Sequence, residues 1–168
     1  MSIAEHKEKG KRSIRCFVVT VSDTRDESTD TSGQTIKKLL AAEGHQTAGY
    51  RIVKDEPAQI QALLIEALEK NDVDAVIVNG GTGIAPRDGT YEVVSRLLEK
   101  KLDGFGEIFR YLSYVDIGSA AIMSRAAAGT AGGKILISLP GSSGAVKLAM
   151  EKLILPEIRH MVSQLQGK

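Results

Sequence analysis

The chain has 168 residues, 22 of them basic and 21 acidic, for a net charge of +1 at pH 7. That length suits one domain with a substantial core, and the charge balance argues against a surface built for nucleic acid or anionic membrane. Three Phe, four Tyr and no Trp leave little material for base stacking, and no apolar run approaches the ~20 residues that span a bilayer.

Residues 1–13 carry Glu5, Lys7, Glu8, Lys9, Lys11 and Arg12 and read as a flexible polar tail, not a signal peptide. The protein is accordingly expected to be soluble and cytoplasmic. Residues 14–168 read as a single α/β domain, because short apolar runs alternate with segments of helical period. The first strand is predicted over residues 14–21 and contains the single cysteine, Cys16, which behaves there as a small hydrophobe. A helix follows over residues 33–43, with Ile36, Leu39 and Leu40 on one face and Gly44 as its stop. The second strand, Gln46–Val53, precedes a helix with Ile60, Leu63, Leu64, Ala67 and Leu68 at helical spacing and Pro57 in its first turn. The third strand is predicted at 75–78, and Val93, Val94, Leu97 and Leu98 mark another amphipathic helix.

Residues 103–128 read as two helices, one carrying Phe105, Ile108, Phe109 and Leu112 and a second over 120–128. A strand at 135–139 feeds the loop Pro140-Gly141-Ser142-Ser143-Gly144. The final stretch, 145–166, holds Pro156 in its interior and must be kinked or broken there. The near-continuous apolar strands suit a mostly parallel sheet covered on both faces, in which ligands gather at the carboxyl ends of the strands. Three loops leave strands in that position: Ser22-Asp23-Thr24-Arg25, the loop 80–88, and the loop 140–144.

The loop 80–88 carries the densest signal. Gly80-Gly81-Thr82-Gly83 lets the backbone turn tightly and present N–H groups to an anion, and Arg87-Asp88 adds one phosphate-compatible cation and one magnesium-compatible carboxylate. Asp55 leaves the second strand as Asp88 leaves the third. The two are placed to hold magnesium together with substrate phosphates, although each could instead cap the helix that follows. Other motifs fail. Gly129-Thr130-Ala131-Gly132-Gly133-Lys134 has the wrong spacing for a phosphate-binding P-loop and enters a strand. Gly141-Ser142-Ser143-Gly144 misses the nucleophile elbow, and His6, His45 and His160 are too scattered to serve it or to form a zinc site.

The ordered set Val21-Ser22-Asp23, Asp30-Thr31-Ser32-Gly33, Asp55, Gly80-Gly81-Thr82-Gly83 with Arg87-Asp88, Ser124-Arg125-Ala126-Ala127-Ala128-Gly129 and Pro140-Gly141 resembles the MoaB/MogA family of molybdenum cofactor biosynthesis proteins, related to the molybdopterin-binding domains of gephyrin. The resemblance covers about residues 14–165. It implies a three-layer α/β/α molybdopterin-binding fold, assembly into trimers or dimers of trimers, and transfer of AMP from Mg2+–ATP to the terminal phosphate of molybdopterin. By this resemblance Asp55 and Asp88 take the catalytic and metal positions. Ser22, Asp30, Gly80, Gly81, Thr82 and Gly83 line the nucleotide and its phosphates, and Ser124, Arg125, Pro140, Gly141, Ser142 and Ser143 face the pterin. Thr90-Tyr91-Glu92 stands where clear adenylyltransferases often carry Thr-Pro-Glu, and Ser142-Ser143 where they carry Asn-Pro, which places the chain nearer the MoaB branch. The alternatives are a non-catalytic molybdopterin carrier and a structural oligomer of the same fold.

Overall fold

The computed structural model describes residues 12–167; the expected tail lies outside them up to residue 11. The elements run β1 (Arg15–Val21), α1 (Thr31–Ala42), β2 (Gln46–Val53), α2 (Pro57–Glu69), β3 (Ala75–Asn79), α3 (Thr90–Leu97), β4 (Lys100–Lys101), α4 (Asp103–Ile117), a 3-10 segment (Gly118–Met123), β5 (Ala127–Ala131), β6 (Lys134–Leu139), α5 (Ser143–Ala149), a π turn (Met150–Ile154) and α6 (Leu155–Leu165). The sheet order is β2-β1-β3-β6-β5-β4. The first four strands in that order are parallel, β5 returns antiparallel to β6, and β4 pairs antiparallel with β5.

Alternation along the strands divides the core into two layers. Cys16, Val18, Ala75, Ile77, Ile135 and Ile137 face a cluster completed by Ile36 and Leu40 of α1, Phe109 of α4 and Ile158 of α6. Phe17, Val19, Val76, Val78 and Leu136 face the other way, onto Ile60 and Leu64 of α2 and Val93 and Val94 of α3. This is the expected three-layer α/β/α arrangement. Cys16 is fully buried, and burial pushes its thiol up to about 12, leaving it an inert packing group.

One predicted element is corrected. Residues 120–128 do not form a helix: a 3-10 turn ends at Met123 and β5 begins at Ala127. The small residues that favour helix locally also allow close backbone approach, and a Cβ on Gly129 would lie 2.0 Å from the Lys100 carbonyl oxygen of β4. Gly132 and Gly133, both at positive φ, close the β5–β6 hairpin, so strand pairing overrides helix propensity. The proline expectation holds: the π turn precedes Pro156, whose ring sits in the first turn of α6, and the widened turn accommodates a residue with no N–H to donate.

Candidate active site

Parallel β1, β2 and β3 end together, so their following loops meet at one edge of the sheet. Gly80 at φ +96° and Gly81 at φ +66° turn the chain sharply as it leaves β3. A Cβ on Gly80 would lie 2.3 Å from the Val21 carbonyl oxygen, so only glycine lets the two loops approach this closely. Gly80 N–H donates to the Leu139 carbonyl at 3.0 Å, and a Cβ on Gly141 would stand 3.1 Å from the Gly80 Cα. The loops after β1, β3 and β6 therefore abut.

Arg125 fixes the conformation of the glycine loop. Its Nε donates to the Thr82 carbonyl at 2.8 Å, its Nη2 to the Gly83 carbonyl, and its Nη1 to Glu92. The Tyr91 ring lies 4.8 Å from the guanidinium carbon, an added cation–π contact. Because N–H and C=O point oppositely across a trans peptide, anchoring those two carbonyls inward turns the Gly83 and Ile84 N–H groups away from Arg125. The Arg125 bond holds the Glu92 carboxyl below the ordinary carboxylate range. Arg125, expected against the pterin, thus spends its hydrogen bonds on the loop.

The carboxylates stand beside this loop. Asp55 is 7% exposed; its Oδ1 accepts the Gly89 N–H at 3.1 Å and its own N–H donates to Asp23 at 3.2 Å. Burial raises the Asp55 carboxyl above the ordinary range; the Gly89 bond opposes this, while the charges of Asp88 and Asp23 add to it. Asp88 accepts the Ala85 N–H at 3.1 Å. Neither aspartate caps its following helix, since Glu56 and Gly89 hold those cap positions without side-chain bonds. Arg87 donates to Asp23 at 2.6 and 3.0 Å and to Glu56 at 2.8 Å, closing the rim and holding Asp23 below the ordinary range.

The remaining predicted residues divide by what their side chains already do. Ser22 Oγ accepts the N–H groups of Thr24 and Arg25. Ser142 caps α5 through the Ala145 N–H, and Ser143 bonds Thr31 across the loops at 3.1 Å. Ser124 Oγ is buried without a partner. Pro140 and Gly141 sit at the same edge, with the Gly141 carbonyl accepting from Ser32 at 2.7 Å. Asp30 is fully buried: it caps α1 through the Gly33 N–H and accepts the hydroxyls of Thr20 and Tyr50, so it supports the loops from beneath and is not exposed at their surface. Sequence reasoning marked Asp23, Tyr91 and Glu92 only as members of motifs and left Glu56 unmarked, because the significance of these residues depends on contacts 31 or more residues distant or on the Arg125 ring contact.

The donor set suits a small hard cation. A Cβ on Gly81 would collide with Thr90 Oγ1 and Asp55 Oδ2, and one on Gly83 would stand 2.5 Å from Asp88 Oδ2, so the bare glycines leave room for carboxylate oxygens beside the loop. Thr90 Oγ1 is itself buried without a partner. Among the described residues no three His, Cys, Asp or Glu side chains form a self-contained metal cage. Magnesium held here would draw its other ligands from phosphate and water, as it commonly does.

A family model described as "Probable molybdopterin binding domain" matches residues 17–160. A Bacillus cereus protein named molybdenum cofactor biosynthesis protein B is 54% identical over 166 residues, covering 98% of each chain. A crystal structure of a molybdenum cofactor biosynthesis protein B superposes with a TM-score of 0.91 at 53% identity, over 94% of this chain and 98% of that one. The tungsten cofactor synthesizing protein MoaB from Pyrococcus furiosus gives a TM-score of 0.82 at 36% identity, over 92% and 98%. With the family match spanning nearly the whole domain, and with the glycine loop, Arg125, Asp55 and Asp88 gathered at one edge of the sheet, this chain belongs to the molybdopterin-binding family of molybdenum cofactor biosynthesis proteins.

Proposed function

We propose that the chain acts in molybdenum cofactor biosynthesis as a molybdopterin adenylyltransferase using Mg2+ and ATP. The observation that carries this reading is the placement of Asp55 beside Gly81 and of Asp88 beside Gly83, on a glycine loop whose Thr82 and Gly83 carbonyls are tied to Arg125. In the reaction, an oxygen of the molybdopterin terminal phosphate attacks the α-phosphorus of ATP. A new P–O–P linkage forms, the bond from the α-phosphorus to its bridging oxygen breaks, and pyrophosphate leaves with the electron pair. Such a transfer needs positioning and charge neutralisation more than a covalent nucleophile.

The residues divide that work. The Gly83 and Ile84 N–H groups donate to phosphate oxygens without reorganising, because Arg125 already holds their peptide planes. Asp55 and Asp88 would hold magnesium, which when bound neutralises phosphate charge. Arg87, tied to Asp23 and Glu56 in the free protein, has a charge that phosphates can recruit. Ser124 and the loop 140–143 form the side on which the pterin is received.

The exposed apolar face of α4 and the 3-10 segment supports self-association. Ile108, Tyr111, Tyr114, Val115, Ile117 and Ile122 are 51–81% exposed, a patch of the kind that marks interaction surfaces. Analytical ultracentrifugation is expected to return a trimer or hexamer.

The test incubates purified protein with ATP, Mg2+ and molybdopterin and measures adenylylated molybdopterin by chromatography. Product from the parent that falls at least a hundredfold with Asp88→Asn supports the assignment. Equal rates from both remove Asp88 from it, and bound molybdopterin with no product selects the carrier reading.

A further inference from the structure

Thr90 is fully buried, and its hydroxyl has no hydrogen-bond partner among the described residues. The helix has no use for that hydroxyl. Gly89 is the N-cap of α3 and has no side chain to cap it with, and Thr90 is held through its backbone N–H, which donates to the Gly81 carbonyl at 3.0 Å. The other buried residues of α3, Val93 and Val94, are β-branched and apolar, so valine would fill position 90 with the same shape. It would also avoid the desolvation penalty of a buried, unpaired hydroxyl.

What the hydroxyl stands beside is Asp55. A Cβ on Gly81 would lie 2.2 Å from Thr90 Oγ1 and 2.7 Å from Asp55 Oδ2, so the two oxygens press on the same face of one glycine. Asp55 Oδ1 is committed to the Gly89 N–H, whereas Oδ2 accepts no hydrogen bond among the described residues. An unused donor and an unused acceptor therefore stand side by side over one face of Gly81.

We propose that Thr90 is a positioning residue of the cation site: on ligand binding its hydroxyl donates to Asp55 Oδ2 and orients that carboxylate toward a bound divalent cation. The inference rests on the Mg2+–ATP reading above. The free protein carries the unpaired hydroxyl, and closing the bond offsets that penalty only when ligand is present. The role is that of the outer hydrogen bonds that fix a liganding carboxylate, whose loss commonly weakens metal affinity by about 10–100-fold.

The test is calorimetric titration of ATP into full-length protein with Mg2+ and with EDTA, read as the gain in affinity that magnesium confers. Thr90→Ser is expected to keep the parental gain. Thr90→Val is expected to lose about tenfold of it while melting no lower than the parent. The role of Thr90 is overturned if Thr90→Val keeps the parental gain, if Thr90→Ser loses as much as Thr90→Val, or if Thr90→Val melts well below the parent. An Asp55→Asn variant run alongside separates the two levels. If it loses the gain while Thr90→Val does not, only the role of Thr90 falls. A parent whose ATP affinity ignores magnesium, or an Asp55→Asn protein indistinguishable from it, overturns the cation reading and this inference together.

Discussion

Asp74 and Asp55 are both buried aspartates at the ends of the central sheet, and they are served very differently. Asp74, just before β3, accepts the Arg15 N–H at 2.9 Å, Arg15 Nε at 3.0 Å and Nη2 at 2.9 Å, and Arg12 Nη2 at 3.0 Å. Burial alone would raise its carboxyl, but the Arg15 bonds and the two positive charges outweigh that and leave it below the ordinary range. Asp55, just beyond β2, accepts one N–H, is flanked by two negative charges and is held above that range. The first is a finished structural joint. The second has spare acceptor capacity, and the positive charge that acts on it, Arg87, is itself tied to Asp23 and Glu56, a perturbed carboxyl of the kind that clusters at functional sites.

Removing each carboxylate should separate the two roles. Asp74→Ala strands Arg15 and an N–H at the closed end, and it is expected to cost about 2 kcal/mol in urea denaturation, discounted because both arginines are a third or more exposed. Folded Asp74→Ala protein should still bind ATP. A cost below about 0.5 kcal/mol, the scatter of ordinary surface changes, would erase the contrast. Gly81→Ala tests the open end: a side chain at positive φ, meeting Asp55 and Thr90, should cost about 1–2 kcal/mol and also abolish magnesium-dependent ATP binding.

The subtlest test is titration. A raised folded-state value means that the native state binds the Asp55 proton more tightly than the unfolded chain does. Asp55 therefore lowers stability as pH rises from its ordinary value of 3.8 through its raised one. Asp74 has the opposite sign: its contribution is present above the ordinary value and is lost as pH falls through its lowered one. Unfolding measured from pH 3 to 7 should show Asp55→Asn gaining on the parent as pH rises through the Asp55 window and holding that gain above it. A gain that shrinks with rising pH would reverse the assignment.

The fold and the open end of the sheet can be read in part from the chain before folding, but unevenly. The proline-started α2 follows directly from helical spacing, and the glycine loop announces itself because three glycines beside a strand end have few other uses. That Asp55 and Asp88 both follow strands ending at one edge of the sheet is legible because parallel strands place their exits together. What sequence periodicity misread was 120–128, where an alanine-rich run says helix and the partner strands say otherwise. It could not reveal that Arg125 turns back onto Thr82 and Gly83, since nothing in Ser124-Arg125-Ala126 encodes a partner 42 or 43 residues away. The Asp74 joint was equally hidden, because its arginines lie 59 and 62 residues distant.

The Arg125 clamp has a kinetic consequence. A glycine-rich loop free in solution would sample many conformations, and a ligand would have to wait for, or drive, the competent one. Here the two carbonyls that define the loop are already bound to a guanidinium packed on Tyr91, so the ordering entropy is settled during folding and not at encounter. Nucleotide capture in rapid mixing should accordingly show one phase whose rate rises linearly with concentration. Arg125→Ala should introduce a slow phase that saturates, as the loop is left to find its shape one ligand at a time.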